Sequence, residues 1–124
     1  MPKRIKYIIE KDLVKVWFEG MLQAETIADL ITDIVNDRRY LPDKLKILID
    51  SRRAKFASKP EDLRVILKRI REHHEKFELI KLTIILQNPY ETAISILMQE
   101  MVRDLGNVYL RVFSTEQAAV SWLN

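Results

Sequence analysis

The sequence predicts an α/β fold: a mixed, mostly parallel five-stranded sheet with four helices, in the order β-β-α-β-α-β-α-β-α. Three observations carry this expectation. Residues 45–49 (LKILI) form the short apolar run of a strand covered on both faces. Segments of strand character alternate along the chain with segments of helical period. Residues that start helices, Ser58, Asn88 and Ser114, stand shortly after three of the strands. Short joints of this kind fit crossover units, which are right-handed almost without exception.

Residues 5–10 and 13–19 read as two strands joined at Lys11-Asp12, a hairpin that supplies the antiparallel pair. In the second, Val14, Val16 and Phe18 alternate with Lys15, Trp17 and Glu19, and Gly20 is expected to close the strand. Residues 24–38 place Ile27, Leu30, Ile31, Ile34 and Val35 at helical spacing, and Leu41-Pro42-Asp43 then makes a turn. The strand from Leu45 ends at Asp50, and a basic loop carries Arg52, Arg53, Lys55 and Lys59 around Phe56. Ser58 and Glu61 have the spacing of a capping box for a helix over residues 60–77. That helix has Leu63, Ile66, Leu67, Ile70, His74 and Phe77 on one stripe and Arg64, Lys68 and Arg71 on another. Residues 79–87 are a third apolar strand. Asn88-Pro89-Tyr90-Glu91 then supplies a cap, a first-turn proline and an acid at the third position. The helix that follows carries Tyr90, Ile94, Leu97, Met98, Met101, Val102 and Leu105, with Gly106 as its stop. Residues 108–113 are the last strand, and 114–117 (STEQ) open a short helix with Ala118, Ala119, Trp122 and Leu123.

A chain of 124 residues fits a single domain, here 1–124, large enough for one real core. No apolar run approaches the roughly 20 residues of a spanning helix, so no membrane segment is expected. The stretch MPKRIKYIIEKD has positive charge but neither a long apolar segment nor a small-residue cleavage site, so no signal peptide is expected. There is no cysteine, which removes disulfides, thiolate catalysis and cysteine metal sites. A cytoplasmic location is the default expectation. Net charge is +3, with an excess of +5 in residues 52–81 against −2 in the remainder. The acids Glu61, Asp62, Glu72, Glu75 and Glu78 are interleaved there, so the segment reads as a solvated face and not as a nucleic-acid site.

Several residues invite chemistry. His73 and His74 are adjacent on a helix and point about 100° apart, so they do not share one metal ion. His74 reads as an edge-of-core residue and His73 as solvated. Asp50 stands where an α/β enzyme often keeps a carboxylate, but no second carboxylate, histidine base or glycine-rich loop accompanies it in sequence. It reads as a strand-terminal Asp holding loop amides. The only glycines, Gly20 and Gly106, make neither a phosphate-cradling loop nor a dinucleotide fingerprint. Phe56 among basic residues could stack on a base, but reads better as a loop anchor in the core. Tyr90, Met98 and Met101 at helical spacing read as core before they read as a ligand pocket. Strand ends would bring Gly20, Asp50, Asn88 and Ser114 to one edge of the sheet, the place to look for a ligand in an open α/β fold.

Element order, residues 43–50 (DKLKILID) with a capped helix after them, and residues 111–123 (RVFSTEQAAVSWL) together resemble the STAS domain, more narrowly its SpoIIAA-like branch of small bacterial proteins. The resemblance covers nearly the whole chain and implies a non-enzymatic α/β module that works by protein contact. In anti-sigma-factor antagonists of this family, a serine at the start of the helix after the central strand is phosphorylated by a partner kinase, which switches partner binding. The family pattern there is Asp-Ser-Ser/Thr-Gly. This chain has Ala57-Ser58-Lys59-Pro60, so Ser58 alone matches by position.

The expected function is therefore a regulatory, protein-interaction module with no catalytic residue, metal or cofactor. Asp50, Ser58, Asn88 and Ser114 form its candidate regulatory or ligand edge. The alternative is a binder of a small apolar or anionic ligand at the C-terminal edge of the sheet. Trp17 and Leu13, on the second face of a hairpin strand, motivate a homodimer as the expected assembly.

Overall fold

The computed structural model describes residues 13–37 and 42–124 in full and residues 4–10 by their backbone. The turn expected at Lys11-Asp12 and the joint at 38–41 lie outside the described residues. The strands are β1 (Arg4–Glu10), β2 (Leu13–Leu22), β3 (Lys44–Phe56), β4 (Leu79–Ile85) and β5 (Val108–Phe113). The helices are α1 (Ala24–Asn36), α2 (Leu63–His73), α3 (Pro89–Val102) and α4 (Glu116–Leu123). The strands form one sheet in the order β1-β2-β3-β4-β5. β1 pairs antiparallel with β2, and β2 to β5 run parallel. The expected α/β architecture and element order hold.

Alternation within each strand sorts side chains onto two faces. Val14, Val16 and Phe18 of β2, Leu45 and Ile47 of β3, Ile80 and Leu82 of β4, and Val108 and Leu110 of β5 join α1, α2 and α3 in the main core. Three right-handed crossovers that step the same way along a sheet place their helices on one face, which is why these three lie together. The second face is covered by α4, which packs Ala119 and Leu123 on Leu48 and Ile85, with Leu13, Phe113 and Trp122 around them. Trp122 lies 6.1 Å from Phe113, with Lys81 Nζ 5.2 Å from its ring centre and the Arg111 guanidinium carbon at 6.0 Å. Leu13, one motive for the expected homodimer, thus packs against the α4 cluster. Thr83, fully buried in β4, donates its hydroxyl to the Ile47 carbonyl at 3.2 Å and so leaves no polar atom stranded.

α2 keeps the face its spacing predicts, whereas in α3 Ile94, Met98 and Val102 are buried but Tyr90 and Leu97, expected on the same stripe, are exposed. α2 buries Leu63, Ile66, Leu67 and Ile70 and exposes Arg64, Lys68 and Arg71. Arg69 ties α2 to α1, donating to Asp29 Oδ1 at 3.0 Å and to Thr32 Oγ1 at 2.9 Å. The predicted helix over 60–77 is divided, with 3₁₀ turns at Pro60–Asp62 and His74–Lys76 flanking α2.

Two strands run further than expected. β2 passes through Gly20 to Leu22, and β3 continues past Asp50 to Phe56. Gly20 has φ of 86°, so it bends the strand without ending it. The expected basic loop is therefore strand: Arg53 and Lys55 are exposed, Ala54 is buried and Phe56 half-buried, the alternation of a ribbon with one covered side. β4 stops pairing at Ile85 opposite Asp50, while β2 and β3 stay paired through Leu22 and Phe56. β1 flanks β2 as far as Glu19, so among the described residues Gly20–Leu22 and Ala54–Phe56 form a two-stranded ribbon that overhangs the sheet by roughly 10 Å of chain.

Substituting Gly20 by Ala should destabilise the fold by about 1–2 kcal/mol, because an L side chain at that φ meets its own carbonyl. A denaturant midpoint equal to the parent's would show that the ribbon does not depend on this bend.

Candidate functional site

The overhang follows a bulge. Trp17 pairs with Asp50 and Glu19 with Arg53, so Ser51 and Arg52 face the single residue Phe18. Asp50 holds this irregularity. Its Oδ1 accepts from the Arg52 amide at 3.1 Å and from Arg52 Nε at 3.0 Å, while Oδ2 accepts from Arg52 Nη2 at 2.7 Å. The Arg52 side-chain bonds hold the Asp50 carboxyl below its ordinary range, against the opposing effect of partial burial. The role read from the sequence, a carboxylate that holds amides beyond its strand, is the one its bonds describe.

Beside it lies a cleft of about 540 Å³ lined by Trp17, Phe18, Glu19, Asp50, Arg52, Arg53 and Gln87. Its charges stand in pairs, Arg52 with Asp50 and Arg53 with Glu19 at 3.6 Å. Gln87 extends the edge by donating Nε2 to the Ser114 carbonyl at 3.4 Å. Asn88 follows, and its Oδ1 caps α3 by accepting the Tyr90 amide at 2.9 Å. Asp50, Asn88 and Ser114 therefore do share the C-terminal edge of the sheet. The cap of α4 is Thr115, not Ser114: its hydroxyl accepts from the Ala118 amide at 3.2 Å.

Ser58 lies elsewhere and does another task. The expected Ser58–Glu61 box is absent, and the residue that caps the turn into α2 is Lys59, whose amide donates to Asp62 Oδ2 at 3.0 Å. The ribbon carries Ser58 to the start of α1, where its Oγ accepts the Ala24 amide at 2.9 Å. Gln23 occupies the N-cap of α1 and makes no side-chain cap bond. A serine 34 positions away thus satisfies an orphan amide of that helix.

Sequence reasoning gave Glu91 only a place in a capping signature. Its side chain instead turns inward. It is 8% exposed, and Oε1 accepts the Phe56 amide at 3.3 Å across the ribbon. It reaches a cavity of about 110 Å³ between the sheet and α1, α2 and α3. Phe56 lines the same cavity, which accounts for this aromatic among basic neighbours.

Among the described residues no group of three His, Asp or Glu could hold a metal ion. The histidines are engaged separately: His74 Nδ1 donates to Asn107 Oδ1 at 2.7 Å, and Lys76 Nζ donates to His73 Nδ1 at 3.1 Å. Among the described residues no helix is long and apolar enough to cross a membrane.

Neither a protein-family model nor a curated protein sequence matches this chain. Solved structures do. An uncharacterised protein of Shewanella loihica with a SpoIIAA-like fold superposes with a TM-score of 0.64 at 16% identity, over 98% of this chain and 93% of that one. The fold is SpoIIAA-like. An anti-sigma factor antagonist from Mycobacterium paratuberculosis gives a TM-score of 0.59 at 16% identity, over 98% and 94% of the two chains. Unphosphorylated SpoIIAA, also an anti-sigma factor antagonist, gives 0.52 at 16% identity, over 96% of each. At these identities the likeness is one of fold, the STAS-type architecture expected from the sequence.

Two measurements test the site's wiring. Ser58→Ala should cost about 1 kcal/mol, with faster amide exchange at the first turn of α1 and not of α2. Protection lost at Leu63 and Arg64 instead would return the cap to α2. Asp50→Asn should cost on the order of 1 kcal/mol at neutral pH. A carboxyl whose folded pKa is depressed stabilises above its unfolded value, and that contribution fades as pH falls through the folded pKa. The gap between parent and variant in urea melts should therefore hold from about pH 7 to about pH 5 and narrow as the pH falls below about 4. A gap independent of pH would remove the Asp50–Arg52 pair as its source.

Proposed function

We propose that this chain is a non-enzymatic regulatory module, a single cytoplasmic domain that acts by binding another protein. The observation that carries this reading is the outer face of α3. Tyr90 and Leu97 are each 50% exposed and Ile96 is 47% exposed, while Ile94, Met98 and Val102 of the same helix are buried. The helix is thus apolar on two sides, and only one is used in the fold. Adjoining apolar side chains left in solvent mark an interaction surface more often than an accident of composition. Two of the solved neighbours are named anti-sigma factor antagonists, and that name, carried to this chain, makes the partner a protein.

The remaining surfaces support other partners less well. Arg52, Arg53 and Arg69 face Asp50, Glu19 and Asp29, so part of the basic segment is neutralised internally. That supports the expectation of no nucleic-acid site. The cleft at the C-terminal edge has its two arginines already paired with acids, which weakens the case for an anionic ligand there. Ser58 keeps its positional match to the family's phosphorylated serine. The Ser58 oxygen accepts the Ala24 amide at the N-terminus of α1, where a phosphate's oxygens could accept in its place, so a modification there would act at the start of α1.

The test is a double variant, Ile96→Glu with Leu97→Glu, beside a control, Lys68→Glu on the exposed face of α2. Both should fold. The α3 variant should lose the protein captured by the parent from host lysate, and the control should retain it. Equal capture by all three would move the partner surface away from α3, and light scattering on the same set tells whether the partner is a second copy.

A further inference from the structure

The cavity beneath the ribbon has an unusual wall. Most of its lining is aliphatic or aromatic, from Leu22 and Phe56 at the ribbon to Met98 on α3. Three polar side chains interrupt it: Ser51, Glu91 and Ser95. Glu91 uses one carboxylate oxygen on the Phe56 amide, and the other, Oε2, is buried with no hydrogen-bond partner among the described residues. A buried carboxylate oxygen without a donor is costly, and folded proteins seldom leave one so. Its position in the first turn of α3 offers an ordinary alternative, reaching back towards the N-cap, but Asn88 caps that helix and Glu91 faces inward.

We propose that this cavity is a binding site for a small primary amine, its apolar body in the void and its ammonium on Glu91 Oε2. Charge selects the head: an ammonium donates hydrogen bonds and neutralises the acid, whereas an anion would meet like charge in a poorly screened site. Volume selects the body. A dry cavity of about 150 Å³ takes benzene, so 110 Å³ suits a chain of about four or five heavy atoms. Phe56, Ile27 and Ile31 are only half-buried, so the wall is thinnest where the ribbon and α1 meet. This inference goes beyond the protein-contact reading and does not rest on it, since it uses the opposite side of α3.

The probes are n-butylamine, n-butanol and n-butyrate, titrated into the full chain and followed by amide and methyl NMR. Butylamine should give saturable shifts at Phe56, Glu91 and Ser95 and contacts to the Met98 methyl. It should bind about tenfold more tightly than butanol, the usual gain of a charge-assisted bond, and butyrate should not saturate. Glu91→Gln should bring butylamine down to the level of butanol, with butanol unchanged. Equal affinity for amine and alcohol, saturable binding of butyrate, an undiminished amine affinity in Glu91→Gln, or no saturable shift in the parent would each overturn the proposal. If Glu91→Gln does not fold, the parent's ranking of the three probes and its Met98 contacts decide alone.

Discussion

The parallel ladder between β2 and β3, with its bulge at Asp50, is the constraint on which the functional end of this molecule depends. Up to Asp50 β3 has a strand on both sides; beyond it β4 is gone, β1 flanks β2 only as far as Glu19, and among the described residues Gly20–Leu22 and Ala54–Phe56 have only each other. An unsupported two-stranded ribbon is marginal in water, so it must find partners at its tip. It finds them in backbone and cap bonds: the Phe56 amide on Glu91, and Ser58 on the amide of Ala24. The same ribbon therefore fastens α1 and α3. The Asp50–Arg52 clasp, by fixing where the extra residue sits, sets which side chains of the ribbon face inward.

Strand order explains why the sheet edge is not an obvious ligand crevice. The sheet runs β1 to β5 in chain order, so crossovers never reverse direction. The crevice of a doubly wound fold opens where two crossovers part to opposite faces, and here α1, α2 and α3 stay together on one face. What remains at the strand ends is a polar cleft whose charges are already paired, while the apolar space lies inside the layer between sheet and helices.

Much of this was legible in the sequence. Strand and helix types, their order and the inward residues of β2 and α2 followed from period alone, because burial on one side leaves a period in the chain. Asn88 was readable as a cap because its partner is two residues away. Ser58 and Glu91 were not, because their partners are 34 and 35 positions distant and local spacing offered each a plausible alternative. The overhang was misread for a related reason. Arg53-Ala54-Lys55-Phe56 does alternate, but an alanine and one phenylalanine between cations look like loop composition until the ribbon's covered side is known. In α3 the single apolar stripe read from spacing took in Tyr90 and Leu97, which lie on the exposed side, because apolar residues on both sides of a helix blur its period.

The helix on the second face has a consequence for how the molecule opens. α4 has 8 residues, too few to persist as an isolated helix, so it is helical because it is docked. Its hold is Ala119 and Leu123 on Leu48 and Ile85, with Trp122 beside Phe113 and two cations. Such a unit can detach as one cooperative piece while the three-helix side stays closed. Its release uncovers the middle of β3 and β4, whose backbone ladders remain intact. Such an opening is a peeling of one face, with the ribbon, the cavity and the outer face of α3 all left in place.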